Sequence, residues 1–251
     1  MTTTIDPTAT TTEPAARLSA VPRAGAPAPG SRRPTWVLWG ALAGAAGLVA
    51  TLFTDQASRL DPDDYLIGGA IVEKLESTPY HVGVVAGFVC VVALLFTAAG
   101  WRRWASRSAP DSLAARVVSM AFVSSAGAMM IGYGLKGSMA VYLPGGSDHE
   151  MMSQEGLYAI FMFLDLGSWM VWWGGTVAAL SAVWLAFRER LLPRWIGVVS
   201  ALFALLPLVV MAATGLPGLP ALSTIWLIIV SVGLALSRRF DRSGEPAVQA
   251  A

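Results

Sequence analysis

The chain has 251 residues, 55% of them hydrophobic and 13% charged, about half the charged share of an average soluble protein. Its net charge is +1, and no basic patch exceeds what membrane orientation requires, so nucleic-acid binding is excluded. Several apolar runs reach the ~20 residues that cross a bilayer, and no ~10-residue alternating strands of a membrane barrel occur, which leaves an all-α, polytopic transmembrane helical bundle.

Residues 1–33 are rich in Thr, Ala and Pro and poor in large apolar side chains, so a disordered tail is expected. No apolar run follows a basic start there, so it does not resemble a secretory signal. The transmembrane domain is expected over 34–240, with a second disordered tail over 241–251. Its first span is Trp36 to Phe53, where Gly40 and Gly44 form a G-x-x-x-G. Small residues at that spacing let two helices approach closely, either within the bundle or in a homo-oligomer.

The first outer loop carries Asp61, Pro62 and Asp64, a capping acid, a proline at the first helical position and an acid in the first turn. A short helix near 62–76 follows. The cluster Asp61, Asp63, Asp64 lacks the rest of a calcium-loop pattern. The second span, Tyr80 to Trp101, opens with His81 at its outer end and contains Gly83, Gly87 and the lone Cys90, which can form no intrachain disulfide. The third span runs from Leu113 to about Leu135, with Leu143 as the alternative end. Lys136 lies twenty residues past Arg116, or ~30 Å along a helix, at its outer end. The following loop holds Asp148, His149, Glu150 and Glu155, but two histidines in the whole chain give no zinc-ligand spacing. No metal and no cofactor are expected.

The fourth span is the longest apolar stretch, Leu157 to Phe187, with Asp165 its single charge. Asp165 precedes Arg188 by twenty-three residues, ~34 Å of helix against about 30 Å of hydrocarbon. It therefore belongs near the outer boundary, level with Lys136, and an ion pair between the two is expected. Tyr158, Met162, Asp165, Ser168, Trp169, Trp172 and Thr176 recur at spacings of three and four and share one helical face. Tyr133, Lys136, Ser168, Trp169, Trp172 and His81 are the candidate ligand-binding residues, with Asp165 the candidate catalytic one. The fifth span, Trp195 to about Ala213, contains Pro207, and the sixth runs from Ala221 to Ser237.

Of the 17 Lys and Arg residues, only Arg59, Lys74 and Lys136 fall on the side opposite the tails, where most of the acids gather. The excess of cationic loops on the other side predicts six spans with both termini cytoplasmic, in a plasma membrane whose bilayer is the main partner.

The LDLGS of the fourth span and the LPRWIG that follows, within LLPRWIGVVSALFALL, resemble a bacterial family of six-span integral membrane proteins of unknown function. The resemblance covers residues 36 to 237 and implies a six-helix bundle. It implies no substrate, cofactor or catalytic residue; Gly167 stands where histidine is common in that family.

Three functions fit this reading. A bundle could bind or handle a small lipophilic molecule at an outward polar site walled by indoles. An enzyme resembling the membrane terpene cyclases would use Asp165 as general acid and Trp169, Trp172 and Tyr133 as the wall that stabilises a carbocation. A membrane scaffold would use Gly40, Gly44, Gly83 and Gly87 for packing.

Overall fold

A computed structural model of the chain describes residues 35–57, 60–149, 151–215 and 219–237. Both predicted terminal tails lie outside the described residues. The fold is all helical, 83% helix with no strand among the described residues. In chain order the elements are α1 (Trp36–Leu48), a π turn (Val49–Phe53), a 3-10 segment (Pro62–Lys74), α2 (Ser77–Ser108), α3 (Leu113–Tyr142), α4 (Gln154–Met170), α5 (Trp173–Phe187), α6 (Arg194–Thr214), a 3-10 turn (Leu219–Leu222) and α7 (Ser223–Leu236).

Among the described residues, five helical stretches are long and apolar enough to cross a membrane: Trp36–Phe53, Ser77–Ser108, Leu113–Tyr142, Arg194–Thr214 and Leu219–Leu236. Large apolar side chains cover their outward faces, among them Phe88 on α2, Met120 and Ile131 on α3, and Val198, Leu202 and Val209 on α6. Exposed apolar area on that scale belongs against lipid, and the chain is a helical membrane protein.

The long fourth stretch is not one helix. It divides into α4 and α5 at Val171–Trp172. Trp172 N bonds back only three residues to Trp169 O, and Gly175 N bonds to Trp172 O at 2.8 Å. The break precedes Gly174–Gly175, and glycine is among the weakest helix formers. Both glycines are required by close approach: a Cβ on Gly174 would run into the Ala121 carbonyl and Ser125, and one on Gly175 into Ser223. The turn at Val171–Trp172 interrupts the single helical stripe expected from Tyr158 to Thr176.

The G-x-x-x-G of α1 is used inside the chain. Gly40 faces Ser231, and Gly44 faces the Thr224 carbonyl and Ile228, all on α7. α6 runs as one helix through Pro207 and ends at Gly215, left-handed at φ 74°, a conformation glycine adopts without steric cost.

Among the described residues, the buried apolar side chains form two clusters. The larger occupies the bundle interior and includes Leu94, Phe122, Tyr133, Trp172, Leu185 and Trp226. The smaller lies beneath the 3-10 segment and joins Ile71, Val72 and Leu75 to Tyr80, Met139, Leu143, Leu157, Phe161 and Leu164. Along α3, Lys136 falls between them.

Candidate functional site

The site grows from the end of α1. There Thr54 N reaches back five residues, to Val49 O, in place of the ordinary four. Such widened turns commonly accompany functional positions. The Ala50 carbonyl accepts instead from the Thr54 hydroxyl at 2.9 Å and from Lys136 Nζ at 2.6 Å. Lys136 Nζ also donates to Thr54 Oγ1 at 3.2 Å. The side chain is 2% exposed, and Gly83 makes room for its aliphatic stem, since a Cβ there would press on Thr54 and the lysine Cδ.

One turn deeper, Thr51 ties three elements together. Its hydroxyl meets the Tyr133 hydroxyl at 3.0 Å and accepts from Trp172 Nε1 at 3.2 Å. The Trp172 ring fills a notch that a side chain at Gly47 would close, and the Tyr133 ring fills another at Gly87. The break between α4 and α5 thus plugs directly into the terminal turns of α1.

Above Lys136 is a cavity of about 10 Å³ lined by Thr54, Asp55, Gln56, Ala57, Tyr80, Lys136, Phe161, Leu164 and Asp165. Its volume suits roughly one water molecule. Gln56 closes the loop above it: Gln56 Nε2 donates to Glu76 O at 2.7 Å and Glu76 N donates to Gln56 Oε1 at 2.9 Å. That paired bond holds the two ends of the 57–76 segment together.

The predicted residues separate on this geometry. Lys136 and Asp165 share the cavity, but the expected Lys136–Asp165 ion pair is replaced. The ammonium bonds to Ala50 and Thr54, and Asp55 borders the same cavity beside Asp165. Tyr133 and Trp172 are buried in the layer below, with their polar atoms on Thr51. Trp169 is half-buried against the main cluster rather than on the cavity. The Ser168 side chain lies outside the described residues. His81 is exposed and points away from the site because α2 turns its neighbour Tyr80 inward, 3% exposed and on the cavity wall.

The expected indole wall is not formed on this cavity, whose lining includes neither Trp169 nor Trp172. Trp36 and Trp101, with ring centroids 6.3 Å apart, line an apolar space of about 30 Å³ with Phe122 and Trp226 toward the opposite, arginine-rich end.

Thr51, Thr54, Asp55, Gln56 and Tyr80 were not anticipated. The run Thr-Leu-Phe-Thr-Asp-Gln at the end of the first span is the signal that marks them. It reads as an ordinary span end until the π turn directs its hydroxyls and a main-chain carbonyl inward.

Comparison with known protein families, curated proteins and solved structures finds no match.

Proposed function

We propose that the chain is a six-span plasma-membrane protein with both termini in the cytoplasm, and that its Lys136 cavity receives the polar head of a small amphiphile from the outer side. Support comes above all from Lys136, whose ammonium is buried in the membrane-spanning bundle and satisfied by a helix-end carbonyl. A lysine inside a spanning segment costs about 2.5–3.5 kcal/mol at the helix centre on insertion scales, and such residues mark functional sites by default. A pure packing role would be filled as well by an apolar side chain.

The chemistry of the wall suggests the head group. Lys136, the Gln56 amide and the Tyr80 phenol surround the same space as Asp55 and Asp165. A small neutral group that both donates and accepts, such as a hydroxyl or amide, suits that mixture better than a full charge. The tail would remain in the bilayer beside the exposed Met162 and Phe163 of α4. At about 10 Å³ the cavity is too small for a head group, so on this reading it opens to bind.

The enzymatic alternative draws less support. An isoprenoid chamber would have to adjoin Asp165, and Tyr133, Trp169 and Trp172 are not on the cavity that Asp165 borders.

Photolabelling native membranes with a diazirine-bearing fatty alcohol tests the binding reading. Adducts should concentrate on α4 and the 3-10 segment and fall at least tenfold in Lys136→Met, with the melting temperature within a few degrees of wild type. Adducts spread evenly over all lipid-facing helices, in both proteins alike, would sink the proposal.

A further inference from the structure

We propose that α4 is a gate over the Lys136 cavity, an arm that swings about the Val171–Trp172 turn while Trp172 stays anchored. The purpose of the motion rests on the amphiphile reading; the motion itself rests on how the two halves of the broken stretch are held.

The α5 half is wedged. Gly174 lies against the Ala121 carbonyl and Ser125 on α3, and Gly175 against Ser223 on α7, so rotation there meets backbone and side chain at once. Trp172 is 1% exposed, seated in the Gly47 notch with its indole nitrogen on Thr51. It serves as a fixed pivot.

The α4 half is held differently. It packs chiefly on the 3-10 segment and on the end of α3. Near its first turn, the Gln154 amide donates to Glu73 Oε1 at 3.1 Å in an exposed position, where a hydrogen bond competes with water. Its buried face, Leu157, Phe161 and Leu164, packs into the smaller apolar cluster, while Met162, Phe163 and Met170 face outward. Apolar side chains lose little when they exchange protein neighbours for acyl chains, so lipid does not oppose the swing as water would. Phe161, Leu164 and Asp165 form one wall of the cavity, and displacing α4 removes that wall and exposes Lys136. The segment on which α4 rests has its own bend at Gly68, φ 59°.

A reversible staple tests the gate. A Cβ on Gly69 would lie 3.6 Å from the Gln154 Cβ, within the roughly 3.5–4.5 Å that a disulfide spans. The reporter is Ala57→Cys, on the cavity wall, in a Cys90→Ala background. Its alkylation by N-ethylmaleimide is followed by peptide mapping in native membranes, with and without the Gly69→Cys/Gln154→Cys pair. We expect alkylation in the unstapled protein, at least tenfold slowing when the staple is oxidised, and recovery on reduction with dithiothreitol. Trp172→Phe, which keeps a ring but removes the anchoring donor, should speed the reporter severalfold, while the lipid-facing Trp184→Phe should not.

Equal rates with the staple oxidised and reduced would overturn the gate. So would a reporter that reacts in no state short of denaturation, or a staple that does not form. Failure of fatty-alcohol labelling with a staple-sensitive reporter would remove the amphiphile and leave the gate standing. The reverse pattern would leave the site and remove the gate.

Discussion

Thr51 shows how much a single hydroxyl can organise in lipid. It is fully buried, and both partners, the Tyr133 hydroxyl and the Trp172 indole nitrogen, come from distant parts of the chain. Removing the hydroxyl while keeping the shape leaves two buried polar groups to find new partners, each at a cost of about 1–3 kcal/mol. Thr51→Val should therefore lower stability by about 2 kcal/mol or more, and Thr51→Ser should restore most of it. Thermal melts in the same bicelles would check this; equal melting temperatures for the two variants would mean that the network is decorative. Lys136 differs in kind. Its stem is packed by Gly83, so Lys136→Met retains the volume while removing the charge, and function should respond more than stability.

At the scale of elements, the glycines divide into those that set helix spacing and those that face open space. Gly44 belongs to the first group, because a Cβ would press on the Thr224 carbonyl and Ile228 and force α1 away from α7. Gly134 belongs to the second, with nothing within 4 Å. Overpacking a close contact costs about 1–3 kcal/mol. Gly44→Leu should destabilise the protein by at least that much, while Gly134→Leu should be neutral or mildly stabilising through helix propensity. Unfolding midpoints in a common detergent would separate them, and similar losses at both positions would show that α1–α7 contact is not special. The broken fourth stretch follows the same logic. Gly174 and Gly175 admit α3 and α7 so closely that the chain has turned before α5 begins.

For the whole molecule, the main consequence is threading. Among the described residues five apolar helices are long enough to cross on their own, and α5 is a shorter apolar helix of 15 residues. The proposed sixth crossing is therefore α5 continued by α4. On this layout the arginines at Arg102, Arg103, Arg107, Arg188, Arg190 and Arg194 lie at one end and the Lys136 cavity toward the other. Protease-protection of terminal tags in spheroplasts should find both ends inside, with a tag inserted at 145–148 cleaved from outside. An exposed amino-terminal tag would reverse the proposed orientation and put the cavity on the cytoplasmic side.

How much of this could be read from residues alone varies with the range of the forces involved. Composition and apolar run length suffice for a helical membrane protein, because a bilayer requires backbone bonds to close within each segment. Counting along helices puts Lys136 and Asp165 at one level, and both border one cavity. The partners of Lys136 could not be counted out. They depend on a π turn that directs one carbonyl and the Thr54 hydroxyl toward α3. Likewise Trp172–Trp173–Gly174–Gly175 reads as uninterrupted hydrophobicity, and only packing against α3 and α7 turns it into a break. Hydropathy is a property of each segment and is carried by the sequence. Which polar atom meets which, and where a helix must yield, are set by contacts between segments far apart in the chain, and the tertiary structure alone decides them.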